Sequence, residues 1–151
     1  MSTFSGSMCK CAGIILLKKI GDEYHFALVE TRQKKFKYSF PKGKREINED
    51  VLTTAKRETY EETGITDDQY TFIPDIYYLE YLKVGNYSRP HIIYFVATLK
   101  DDNTDIHPID ENEILSSLWV SEKDIKNMTF DLTFQRRNIM LRLYKKLKPP
   151  L

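Results

Sequence analysis

Only two cysteines, Cys9 and Cys11, occur in the 151 residues, and the formal net charge is just +1. At i and i+2 the thiols are expected to share one face of a strand, which is poor geometry for a mutual disulfide. They are also too few to build a structural zinc site. That scarcity points to reduced thiols in an intracellular protein. A near-neutral total argues against a general nucleic-acid binder, DNA in particular, while leaving local patches open. No apolar run approaches the length of a membrane span, and Met1 to Ser7 lack the basic start and apolar stretch of a signal peptide. A soluble protein of the cytoplasm or another intracellular compartment is therefore expected. Repeats, low-complexity segments and any motif for a serine or cysteine nucleophile are missing as well. Residues 1–7, small and polar, read as a disordered start, and residues 8–151 as one domain. With 41% hydrophobic and 13% aromatic residues, it is long enough to bury a core.

What the chain does carry is concentrated in one stretch. Residues 43–65 set Gly43, Glu49, Arg57, Glu58, Glu61, Glu62 and Gly64 at the spacing G-x5-E-x7-R-E-U-x-E-E-x-G-U, where U is apolar. Chance agreement at all of these positions is on the order of 10⁻⁹ per window. Thr59 departs from the pattern at a position where an aliphatic residue is usual. Asn48 suits an N-cap, Glu49 and Asp50 place acidic groups in a first helical turn, and Gly64 suits the left-handed conformation just past the last. A helix is expected from about Glu49 to Thr63. Val51, Leu52, Ala55 and Thr59 form a narrow stripe able to pack on a sheet.

Glu58, Glu61 and Glu62, at i, i+3 and i+4, gather on one side of the last two turns, where like charges repel. Arg57 paired with Glu61 offsets part of this. A hard divalent cation would offset the rest, because carboxylate oxygens suit Mg²⁺, which is commonly held by few carboxylates, several waters and substrate phosphates. A three-glutamate face by itself is more often a solvated helix surface. The glycines and Glu49 at fixed offsets reverse that balance.

Around this helix, Cys11 to Lys18 and Tyr24 to Glu30 read as a hairpin across Gly21-Asp22. Residues 31–45 read as a basic loop with interleaved aromatics. Tyr70 to Lys83 and His91 to Leu99 are strand-like, with a turn region at Gly85 to Pro90, and Leu115 to Val120 adds a short strand. The stretch from about Phe130 to Lys146 reads as a closing helix. Strands around a central helix with a second helix near the end make a layered α/β or α+β domain. His25 and His107, isolated in sequence, read as surface or structural groups.

The stretch at 43–65 resembles the Nudix box, and the looser resemblance runs from Met8 to about Leu147. Within that superfamily the chain is similar to the asymmetrical diadenosine tetraphosphate hydrolases. It shares their opening Cys11-Ala12-Gly13-Ile14-Ile15, the Pro41-Lys42-Gly43 entry, the apolar strand from Pro90 to Phe95, and a glutamate, Glu113, ahead of Trp119. The resemblance implies an α/β/α sandwich with a mixed sheet. It also implies hydrolysis of a nucleoside diphosphate linked to another moiety, with Mg²⁺ or Mn²⁺ as the metal and no organic cofactor. Carried over, Glu58 and Glu62 would bind metal, Glu61 would bind metal or hold Arg57, and the Gly43 carbonyl would complete the site. Glu113 would contact metal or help deprotonate water, the chemistry a metal-assisted attack on phosphorus requires.

Arg32, Lys34, Lys35, Lys37, Lys42, Lys44 and Arg45 offer cations to a polyphosphate, Lys42 being the strongest candidate. Tyr81, Tyr87, Arg89 and His91 are candidates for base stacking and phosphate contact, with Phe130 and Phe134 as an opposite wall. The same box also fits removal of pyrophosphate from an RNA 5′ end, decapping of mRNA, a diphosphoinositol polyphosphate substrate, or an inactive nucleotide- or RNA-binding module.

Overall fold

The computed structural model describes residues 9–127 and 131–148. The expected disordered start and Phe130 therefore lie outside the described residues. The central strand, β1 (Cys11–Ile20), is an apolar run that feeds two cores by alternation. Ile15 and Leu17 pack with Phe26, Leu28, Tyr94 and Val96, whereas Ala12, Ile14 and Leu16 pack with Ala27, Ile93 and Ala97. A strand buried on both faces needs this continuous apolar pattern.

A turn at Gly21-Asp22 leads into β2 (Glu23–Thr31), with Leu17 opposite Phe26 and Ile20 opposite Glu23. The remaining strands are β3 (Tyr38–Ser39), β4 (Lys42–Lys44), β5 (Tyr70–Val84), β6 (Tyr87–Leu99) and β7 (Ile114–Val120). The helices are α1 (Val51–Thr63), α2 (Glu122–Lys126) and α3 (Phe134–Leu147). Strands β3-β2-β1-β6-β5 lie in that order, with β4 paired to β1 and β7 to β2. The β1–β6 pairing is parallel and the others are antiparallel. Ala55 of α1 belongs to the core on one face, and Ile125 of α2 with Ile139, Met140 and Leu143 of α3 to the core on the other. This is the expected α/β/α sandwich. No helix among the described residues is long and apolar enough to cross a membrane.

One edge of β1 is shared by two partners. β4 pairs with Cys11 to Gly13, and β2 pairs only from Leu17 onward. The Ile14 N–H between them donates to the Pro41 carbonyl at 3.2 Å. The two partners diverge from that point, and α1 enters directly after β4, so the ends of β2, β4, β7 and α1 border one space.

Several local expectations change. The stretch 31–45 is not all loop, since β3 and β4 form where neighbouring edges supply backbone partners. The second hairpin turns tightly at Gly85-Asn86, with Val84 opposite Tyr87, so residues 87–90 are strand. Asn48 has φ 65, whereas an N-cap is extended. Asp50 is the cap instead, its carboxylate accepting the Thr53 N–H at 2.7 Å, and α1 starts at Val51. Gly64 stops the helix as expected, with φ 76 and its N–H donating to the Tyr60 carbonyl. The two cysteines do not share a face. Cys9 precedes β1, outside its alternation, and joins the core under α1, while Cys11 packs toward the α3 side. Both thiols are free.

Candidate active site

The buried side of α1 is wider and more polar than an apolar stripe. Thr54, Ala55, Glu58, Thr59, Glu62 and Thr63 are buried, whereas Leu52 is exposed. Thr59 packs where an aliphatic side chain would, and its hydroxyl has no hydrogen-bond partner among the described residues. Glu58 and Glu62, one turn apart, are only 8% and 5% exposed. Carboxylates at such depth resist ionisation. Burial raises the pKa of Glu58, with the Glu61 charge adding to the effect. It pushes Glu62 up to about 8, opposed by the Lys42 backbone N–H and reinforced by Glu58 and Glu113.

The backbone of β4 lies directly on these two groups. Lys42 donates its N–H to Glu62 Oε1 at 3.2 Å. A Cβ at Gly43 would stand 2.1 Å from Glu58 Cδ and 2.3 Å from each of its oxygens, so any larger residue there must displace the Glu58 carboxylate. Behind Glu62, its carbonyl accepts the Ser117 hydroxyl at 2.7 Å, tying α1 to β7.

Arg57 is the main counter-charge, but its first partner is Glu49 rather than Glu61. Its Nε and Nη2 donate to the two Glu49 oxygens at 2.8 and 2.9 Å, and Nη1 reaches Glu58 at 2.9 Å and Glu61 at 3.4 Å. The remaining Nη2 contact is the Lys44 carbonyl at 3.0 Å. The guanidinium holds the Glu49 carboxyl down to about 2, helped by the Thr54 hydroxyl, while its own pKa rises. Glu49, ahead of the helix, is thus the anchor that fixes Arg57 beside Glu58.

Lys42, Gly43 and Glu62 open on a cleft of about 490 Å³ that Thr31, Arg32, Ser39 and Glu113 also line, with Glu58 packed behind Gly43. The structure therefore brings together Gly43, Lys42, Arg57, Glu58, Glu61, Glu62 and Glu113. Lys34, Lys35, Lys37, Lys44 and Arg45 do not line it, and Lys37 pairs with Glu30 at 3.5 Å. The second group sits on the β5–β6 hairpin. Arg89 and His91 border a smaller hollow of about 120 Å³ with Lys10 and Pro90. Tyr81 and Tyr87 are exposed nearby, Tyr87 at 77%. Cys11 joins the two groups, its thiol 3.9 Å from His91 Nε2 and within the field of Lys42 and Glu58.

The donor set fits a hard cation. It is all oxygen, it contains two buried carboxylates whose charge is costly without a counter-ion, and the β4 backbone reaches them closely, Gly43 at Glu58 and Lys42 at Glu62. Among the described residues no group of three His, Cys, Asp or Glu side chains is arranged to hold an ion alone. Sequence reasoning missed Ser117, a single strand serine with no local signal, and the α3 residue Arg136, which is buried against Glu80.

With the buried glutamate pair, the glycine strand and the α/β/α layers in place, the class is defined: the chain belongs to the NUDIX family, whose domain profile matches residues 10–143. Among curated proteins, it is 37% identical over 82 residues to the asymmetrical bis(5′-nucleosyl)-tetraphosphatase of Mus musculus, covering 54% of this chain and 55% of that protein. It is 27% identical over 127 residues to an Acanthamoeba polyphaga mimivirus protein described as "Putative mRNA-decapping protein", covering 81% of this chain and 35% of that one. The chain thus spans about a third and about half of the length of these relatives. In fold it resembles the crystal structure of a C. elegans Ap4A hydrolase binary complex, with TM-score 0.73 at 22% identity, covering 93% of this chain and 100% of that one. The NUDIX domain of Shewanella oneidensis NrtR with ADP ribose gives TM-score 0.66 at 13% identity, covering 91% and 87%.

Proposed function

We propose that this protein is a divalent-metal-dependent pyrophosphohydrolase whose substrate is a dinucleoside polyphosphate such as diadenosine tetraphosphate, split to ATP and AMP. The observation that carries this reading is the pair of buried carboxylates, Glu58 and Glu62, pressed against the β4 backbone at Gly43 and Lys42, beside a cleft that Glu62 and Glu113 both line. Glu58, Glu62 and the Gly43 carbonyl would hold Mg²⁺ or Mn²⁺, with Glu61 and Glu113 at the margin. Bound there, the metal supplies Lewis acidity toward phosphate oxygens and a more acidic water. Arg57, fixed by Glu49, keeps Glu58 oriented. Glu113 faces the site as an acceptor for the proton of the attacking water. Lys42 meets phosphate at the cleft, and Lys10 and Arg89 extend the cationic surface along a longer polyphosphate, with His91, whose pKa is lowered by burial and by the Lys42 charge, beside them as a neutral hydrogen-bonding ring. Tyr81 and Tyr87 offer exposed rings for a base.

The likeness to the murine tetraphosphatase supports the dinucleotide, and the exposed tyrosines suit a base better than an inositol. A second reading, capped or triphosphorylated RNA, is favoured by the longer alignment to the mimivirus protein. Initial rates with Mg²⁺ on diadenosine tetraphosphate, capped RNA, triphosphorylated RNA and diphosphoinositol pentakisphosphate test the ranking. The dinucleotide is expected to give the highest kcat/KM. Faster cleavage of either RNA would move the assignment to the second reading, and no turnover with nucleotide binding retained would leave a binding module.

Gly43→Ala tests the geometry itself. The added methyl must push the Glu58 carboxylate or β4 aside, and misplacement near 1 Å is enough for a loss on the order of 10²-fold in kcat. Circular dichroism is expected to show the fold retained. A variant with unaltered kcat would show that the close Gly43–Glu58 approach does not govern catalysis.

A further inference from the structure

We infer that Arg32 is a positioning residue that sets Glu113 against the two buried carboxylates, rather than a cation that meets phosphate. The inference deepens the proposed hydrolase reading and rests on it for its kinetic consequences. Arg32 follows β2 immediately and lines the cleft, where sequence alone makes it one of several candidate phosphate contacts. Its guanidinium is directed elsewhere. Nε donates to the Asn112 carbonyl and Nη2 to the Glu111 carbonyl, each at 2.8 Å. Two successive carbonyls gripped by one planar fork fix both the place and the orientation of the chain that enters Glu113.

The same loop is tied from its other side to the carboxylate helix. The last carbonyls of a helix lack intrahelical partners, and here the loop supplies them. Glu61 O accepts the Ile109 and Asp110 N–H groups, both at 2.9 Å, and Thr63 O accepts that of His107 at 3.0 Å. Within the loop the Asn112 N–H donates to Asp110 Oδ1 at 3.0 Å. Beyond Glu113, Ile114 is buried and pairs with Thr31 where the β2–β7 register shifts between Glu30 and Thr31. Glu113 therefore sits in a short strap with three fixed points: the end of α1, the Arg32 fork and the first pair of β7. Without the fork, residues 111–113 keep only the outer two. The Glu113 charge already reaches both Glu58 and Glu62, so a shift of this strap alters the field at the buried pair.

The experiment compares Arg32→Ala, Arg32→Lys, Glu113→Gln and the Arg32→Ala/Glu113→Gln double variant. It uses steady-state hydrolysis of the preferred polyphosphate with Mg²⁺, and amide hydrogen exchange over residues 111–114. Both Arg32 variants are expected to lower kcat by about 10- to 100-fold, with KM changed less than about twofold, the signature of lost transition-state geometry. A lysine at this position keeps the charge but not the fork, so Arg32→Lys should do no better than Arg32→Ala. Arg32→Ala should add little once Glu113 is already replaced by Gln, because the two act as one unit. Exchange at 111–114 should quicken while the melting temperature stays put. The inference is overturned if Arg32→Lys keeps near wild-type activity, if Arg32→Ala raises KM alone and adds fully to Glu113→Gln, or if exchange is unchanged. A wild type that turns over nothing would sink the hydrolase reading instead, and the exchange comparison would still decide whether Arg32 holds the strap.

Discussion

Glu62→Gln is expected to lower kcat by a factor on the order of 10³ while making the metal-free protein more stable at alkaline pH. The two effects have one cause. Glu62 is buried deeply enough that its pKa rises from 4.5 to about 8 in the folded chain. Between those values the unfolded chain has released the proton and the folded chain still holds it. Stability contributed by this group is therefore full below about pH 4.5, falls as pH rises through the window, and levels off above 8. Glutamine does not titrate, so it escapes that decline, but it also offers a weaker ligand to a cation. Thermal melts without added metal should show the variant near wild type at about pH 4.5. By about pH 8.5 it should melt roughly 5 °C higher. Parallel melting curves for the two proteins across that range would mean that Glu62 is not strained by its burial, and retained turnover would mean that it does not hold the metal.

Arg136→Met is expected to be the most destabilising single change outside the site. Arg136 is 8% exposed; its Nε and Nη2 donate to the Glu80 oxygens at 2.8 and 3.1 Å, and its Nη1 donates to the Tyr38 carbonyl at 3.0 Å. Tyr94, fully buried and edge-on to Phe40 at 4.9 Å, donates its hydroxyl to the same carboxylate at 2.9 Å. One side chain of α3 thus joins β3, β5 and β6. Removing it leaves the Glu80 charge, on a side chain only 13% exposed, with the Tyr94 hydroxyl but no cation, which costs about 3 to 5 kcal/mol, or roughly 10 °C of melting temperature. Replacing Glu80 by Leu as well removes the stranded charge, so the double variant should recover much of the loss. Urea titrations of both variants measure this. A small effect of Arg136→Met alone would show that water reaches Glu80 and that the pair is not desolvated.

The melting of Arg136→Met also bears on the hairpin. Gln135, the preceding residue, pairs its side-chain amide with both backbone groups of Tyr81 at 2.8 and 2.9 Å. α3 therefore sets the outer edge of β5 where Tyr81 leaves the core. Loosening α3 should reach the exposed tyrosines before it reaches α1, whose carboxylates are held from β4, β7 and the strap at 107–113.

Local chemistry wrote much of this protein plainly. The fixed spacing of Gly43, Arg57, Glu58, Glu61, Glu62 and Gly64 announced a helix with a carboxylate cluster. The helix stop at Gly64 and the hairpin at Gly21-Asp22 follow from conformations that only their own neighbours need to satisfy. The continuous apolar run of β1 followed from burial on both faces. What sequence order could not carry is the choice among partners of equal local merit. Asn48, Glu49 and Asp50 could each serve near a helix start, and the left-handed turn at Asn48 gave the cap to Asp50 and sent Glu49 to Arg57. Arg32 and Lys42 are both cations beside the box, yet a loop some 80 residues away engages the first, while the second lies over Glu62. Arg136 carries no local signal in the sequence, and only the fold brings Glu80 and Tyr94 to it. Composition and spacing determine which groups can ionise, cap or coordinate; packing fixes which are deprived of water, and desolvation is what turns an ordinary glutamate into Glu62.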